Sequence, residues 1–119
     1  MTRDPEDLRK RTKQFAIRII RLFRSLPKTD EARVIGRQLL RAATSVAANY
    51  RAVCRARSRA DFTAKLGIVL EETDESLFWL ELLGDIGIIK KSKLALLMEE
   101  ADELIRIFNS SIQTSRRKV

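Results

Sequence analysis

Leu8, Thr12, Phe15, Ile19, Leu22 and Leu26 recur at spacings of 4, 3, 4, 3 and 4 residues, and Pro27 follows at once. Such a pattern leaves few folds open. An α-helix turns once in about 3.6 residues, so these six positions line one side of a helix, whereas a strand would scatter them over both faces. Ala16, Ile20 and Phe23 widen the stripe. Asp4 is placed to cap the start, and Pro5 suits the first helical position because its missing N–H has no helical partner there. Pro27 ends the helix, since its ring crowds Leu26 out of the α region. The first helix is therefore expected at about 5–26.

The same period returns three times. Thr29 is the expected cap of a second helix at about 30–55, with Asp30 and Glu31 favourable at its positive end. Its stripe is Ile35, Leu39, Ala42, Val46, Asn49 and Val53. Beside it runs a line of mostly small residues, Gly36, Leu40, Ala43, Ala47, Tyr50 and Cys54, which would let a neighbouring helix come close. Ser58 with Asp61 resembles a capping box opening a third helix at about 59–86. Phe62, Leu66, Val69, Thr73, Leu77, Leu80 and Leu83 form its inner face, and Gly84 and Gly87 mark its end. Ser92 is the expected cap of a fourth helix to about 113, with Leu94, Leu97, Ala101, Leu104, Phe108 and Ile112 inward. Residues 114–119 read as a frayed basic tail. The 119 residues fit one domain, and no strand-like alternation occurs. Long helices joined by short turns predict an all-α, antiparallel up-down-up-down four-helix bundle over 1–119.

Much chemistry is excluded by residue type. The chain has no histidine and one cysteine. The commonest general base and metal ligand are thus missing, a thiolate zinc site is impossible, and so is a Ser/His/Asp set. No Gly-rich phosphate loop occurs. The reading is a non-enzyme without cofactor or metal. Glu71, Glu72 and Glu75 could gather a cation, but pairing with the abundant arginines is the simpler role. Cys54 is read as packed beside Tyr50, and a lone thiol suits the reducing cytoplasm. The N-terminus lacks the apolar core of a signal peptide, and no apolar run is long enough to span a membrane.

Charge carries the functional signal. The net charge is +8, yet residues 59–87 hold two basic and seven acidic side chains while residues 1–28 hold nine basic and three acidic. Two basic surfaces are candidates for RNA or DNA. One is the outer face of the first helix, with Arg9, Lys10, Lys13, Arg21 and Arg24. The other is a ridge of the second helix, with Arg37, Arg41, Arg51 and Arg55. The ridge has a competing reading as the basic half of a helix or subunit seam. Arg51 or Arg55 would then pair with Glu71, Glu72 or Glu75, and Asn49 would turn inward to bond Glu72, Glu75 or Thr73 and fix register. The third helix has a second partly apolar track, on which Ile68, Trp79, Leu82 and Ile86 are candidates for a contact between subunits. A protein scaffold whose charge serves self-assembly is therefore the alternative to nucleic-acid binding.

The series Phe15, Leu22, Leu26-Pro27, Gln38, Ala42, Ser45-Val46 and Asn49, followed by Arg57-Ser58, Asp61-Phe62, Leu66, Ile68 and Glu75, resembles the four-helix-bundle proteins encoded in intervening sequences of bacterial 23S rRNA genes. The resemblance runs from about residue 8 to 112 and is most specific from Ser45 and Asn49 into Arg57-Ser58 and Asp61-Phe62. The accessory variability determinant proteins of diversity-generating retroelements look like relatives. The family often has Asn-Ile-Ala-Glu-Gly where this chain has Asn49-Tyr50-Arg51-Ala52-Val53, and a Gly-Ser pair where it has Glu71-Glu72. The resemblance implies a bundle that assembles into a ring, a homopentamer in known relatives. In the retroelement relatives it implies binding of reverse transcriptase and nucleic acid through a basic surface.

Overall fold

The computed structural model describes residues 4–117, all but short turns of them helical. The helices are α1 (Pro5–Ser25), α2 (Asp30–Val53), α3 (Arg59–Asp85) and α4 (Lys91–Arg117). Three starts are capped as the residue types require. Asp4 accepts from the Glu6 N–H at 3.1 Å, Thr29 from Ala32 N–H at 3.3 Å and Ser58 from Asp61 N–H at 3.0 Å. Asp61 does not close a reciprocal box on Ser58. Its carboxylate instead accepts from the N–H of Arg57, one residue earlier, at 3.0 Å. Gly87 takes a positive φ of 78° in the α3–α4 turn, a conformation that other residues reach only with strain.

Contacts between helices make each neighbouring pair antiparallel. Arg41 on α2 meets Glu72 and Glu75 on α3, while further along α2 Arg51 shares a hollow with Lys65. Thr63 near the start of α3 bonds Ser115 near the end of α4 at 2.6 Å, and Asp85 faces Lys91 at the other end. On α2, Gly36 sits so close to α1 that a Cβ there would lie 2.7 Å from Leu26 Cδ1. The outcome is a four-helix bundle of 48 × 22 × 19 Å, in which α1 and α3 lie on one diagonal with their backbones apart.

The core is the four stripes brought together. Phe15, Ile19, Leu39, Val46, Leu66, Leu80, Leu104 and Phe108 are fully buried. Tyr50 stacks on Phe108 with ring centroids 5.7 Å apart. Two buried hydroxyls are satisfied within their own helix: Thr12 donates to the Leu8 carbonyl and Thr73 to that of Val69.

Several expected boundaries and environments differ. α2 stops at Val53 rather than about 55, and Cys54 is exposed although it lies beside Tyr50. The chain leaves the helix there, so the small-residue line loses its last member. Ser92 lies inside the first turn of α4, which begins one residue earlier. Residues 114–117 are the last helical turn, not a frayed tail: Ser115 is buried and held by Thr63. Lys118 and Val119, also assigned to that tail, lie outside the described residues.

Candidate nucleic-acid interface

The α2–α3 hairpin builds an open hollow of about 850 Å³ at its turn. Ala48 and Ala52, one turn apart on α2, leave the floor low. Arg51 and Arg55 rise beside them at i, i+4 spacing, Arg57 comes from the turn, and Asp61 and Lys65 come from the first two turns of α3. Four cations thus share the site with one carboxylate. That carboxylate is occupied: Lys65 Nζ donates to Asp61 Oδ2 at 2.9 Å, and the Arg57 backbone N–H donates to the same oxygen. These two hydrogen bonds, Lys65 first, hold the Asp61 carboxyl below its ordinary pKa, so it stays ionised at neutral pH. Arg51 and Arg55 are exposed and have no ion-pair partner among the described residues. The hollow therefore presents uncompensated positive charge at the end of α2 and in the turn that follows it.

The arginine ridge expected on α2 divides in two. Arg41 is taken up by α3: its guanidinium donates to Glu72 at 3.0 Å and also to Glu75, and these bonds raise its pKa. Glu75 also accepts from Trp79 Nε1 at 3.4 Å. The expected pairing of Arg51 or Arg55 with these carboxylates does not form. In an antiparallel hairpin, ten residues forward on one helix is ten residues back on the other. Arg41 is level with Glu72 and Glu75, so Arg51 is level with Asp61 and Lys65. Glu71 points to solvent without a partner among the described residues. Asn49 does not reach α3 either. It is half-buried and donates within its own helix, to the Ser45 carbonyl at 2.9 Å and the Ser45 hydroxyl at 2.7 Å.

Arg37 and the α1 candidates Lys10, Lys13, Arg21 and Arg24 are exposed, as is Arg9, which lies 3.5 Å from Glu6. They are not part of the hollow. Two of its members, Arg57 and Lys65, lie outside the ridge and face that sequence periodicity picks out. Their signal is weak: a turn arginine, and a lysine four residues after Asp61 on a mostly acidic helix. Arg11, also unmarked in the sequence, ties α1 to α4 by two bonds to Glu100, of 3.1 and 2.6 Å, with Glu103 at 3.2 Å. Of the apolar candidates on α3, Ile68 and Ile86 are 48% and 49% exposed, while Trp79 and Leu82 are half-buried. On the far side of the turn, Tyr50, Cys54 and Phe62 line a smaller hollow of about 410 Å³. Among the described residues, no three His, Cys, Asp or Glu side chains are grouped to hold a metal ion, and no helix is long and apolar enough to cross a membrane.

Comparison with known proteins places this geometry. No match was found among curated proteins. A crystal structure of a protein with unknown function from the S23 ribosomal protein family of Bacteroides thetaiotaomicron VPI-5482 superimposes with a TM-score of 0.84 and 33% identity, over 92% of this chain and 97% of that one. The family profile described as 23S rRNA-intervening sequence protein matches residues 6–110. With almost the whole bundle inside that match, the chain belongs to the 23S rRNA-intervening sequence protein family.

Proposed function

We propose that the protein is a non-enzymatic, homo-oligomeric bundle that binds RNA or DNA electrostatically, with the Arg51–Arg55–Arg57–Lys65 hollow as its phosphate site. One observation carries this reading: exposed arginines converge where the only lining carboxylate among the described residues is already engaged by Lys65. Unneutralised cations on a rigid surface gain free energy by displacing counterions from a phosphate backbone, with no demand on base sequence. The absence of histidine from the chain supports a binding role rather than acid–base catalysis. The exposed Ile68 and Ile86 support self-association. The exposed lone thiol of Cys54 fits a cytoplasmic protein.

Titrating the protein into fluorescently labelled structured RNA and duplex DNA at rising salt tests the reading. Binding at low salt that weakens steeply with added salt is expected; no binding at low salt overturns it. A second reading, a protein scaffold whose charge serves only assembly, draws on the capture of Arg41 by Glu72 and Glu75. It predicts oligomers by light scattering that ignore nucleic acid.

A further inference from the structure

Two stripes on diagonal helices carry one pattern in opposite charge. On α3, Glu71, Asp74, Phe78, Glu81 and Asp85 fall at i, i+3, i+7, i+10 and i+14, a single exposed line with an aromatic at its centre. Phe78 is 52% exposed, its ring held edge-on against Trp79 at 4.9 Å. On α1, Lys10, Lys13, Ile17, Arg21 and Arg24 fall at i, i+3, i+7, i+11 and i+14, with the cations exposed and Ile17 half-buried. Each stripe covers about 21 Å of helix. Each sets two like charges on either side of one apolar residue. Apart from Asp85, which faces Lys91 at 3.4 Å, none of these eight charges has an ion-pair partner among the described residues.

We infer that a second copy of this chain docks its basic α1 stripe on the acidic α3 stripe of the first, Ile17 against Phe78. The inference rests on the homo-oligomeric part of the reading above and assigns the faces. A second copy fits better than other occupants for three reasons. Nucleic acid is repelled by an acidic line. The matching counter-stripe, equal in length and with its apolar residue in register, is on the molecule itself. And the two stripes face outward from diagonal helices whose backbones stay apart within one bundle, so the match can be made only between copies. Ile68, Leu82 and Ile86 flank the acidic stripe and widen the apolar contact. Because the two faces differ, the contact is head-to-tail and can repeat from copy to copy. The α1 cations are then subunit contacts, and the hairpin hollow remains for phosphate.

The test is the assembly state of the full chain at tens of micromolar by light scattering. One variant carries Glu71→Lys, Asp74→Lys and Glu81→Lys; a second carries Lys10→Glu, Lys13→Glu and Arg21→Glu. Each alone now opposes like charges and should run as a monomer with unchanged circular dichroism. Mixed in equal amounts they restore opposite charges wherever unlike variants meet, and should associate again into pairs and larger alternating assemblies. Phe78→Ser, a single exposed change that leaves the fold's charges intact, should weaken assembly at least about tenfold. If the wild type assembles and the reversed variants assemble equally well alone, the face assignment is wrong while homo-oligomerisation stands. If the wild type is a monomer, both fall.

Discussion

Replacing Arg51, Arg55 and Arg57 together with alanine should remove most of the affinity for nucleic acid at physiological salt. The three side chains are exposed, so the bundle should keep its helicity and melting temperature. If each arginine neutralises one phosphate of a duplex, the slope of log affinity against log salt becomes shallower by about 2.7, at about 0.9 for each phosphate left unneutralised. Accumulated between about 1 M and 0.15 M salt, that slope difference amounts to about two log units, or a loss of roughly 100-fold. Fluorescence anisotropy of a labelled duplex, titrated across about 0.05 to 0.5 M salt, reads both quantities. Arg41→Ala is the internal control. Its guanidinium is held by Glu72 and Glu75, so its removal should change the slope by much less than the share of one phosphate. A triple variant with the wild-type slope would refute the assignment of the hollow. So would an Arg41 variant that loses as much affinity as the triple.

Other expectations probe the bundle that holds the site. At Gly67, inside α3, an added Cβ meets nothing within 4 Å, so Gly67→Ala should gain about 0.5–1 kcal/mol and raise the melting temperature by a few degrees. Gly36→Val should instead cost about 1–3 kcal/mol, because its Cβ would press on Leu26 and Phe23 at 2.7 and 3.1 Å; thermal melts separate the two. A double-mutant cycle on Arg41 and Glu72 should return a coupling of only about 0.3–1 kcal/mol, since Arg41 is 52% exposed, whereas Arg51 with Glu72 should be additive. Burial raises the Tyr50 phenol above its ordinary value of 10.0, with Cys54 adding to the effect. The folded state therefore favours the neutral ring. Its stabilisation is complete below that pH and is lost as pH rises past it. Tyr50→Phe should flatten the fall in melting temperature above about pH 10 and leave the neutral-pH profile unchanged in shape.

The candidate site is less legible in the sequence than the bundle, and particular residues show why. Leu94, Leu97, Ala101, Leu104, Phe108 and Ile112 are all buried, as their spacing requires. A helical period needs only local geometry and a water-avoiding side to become structure. The last turn of α4 escapes that reasoning because Ser115 has the look of a tail residue. Its burial depends on Thr63, which is 52 residues away in the chain. Asn49 shares the period of the core stripe yet sits half out of it, satisfied by Ser45 one turn earlier. A local partner is enough, and no pattern of types distinguishes that from a bond across helices. Arg41, Arg51 and Arg55 share one ridge and one residue type, and they end in two different states.

What the sequence determined by itself was the number of helices, their caps within a few residues, and the faces they bury, because these follow from periodicity and from short-range hydrogen bonds. What the tertiary structure decided was which charges meet. The packing of α2 on α3 and the length of the turn between them set the axial register of the hairpin. That register puts Arg41 level with Glu72 and Glu75, and it leaves Arg51 and Arg55 level with an aspartate that Lys65 already holds. Coulomb attraction between exposed side chains is worth too little to reset a core-packed register, so the charges pair where the core leaves them.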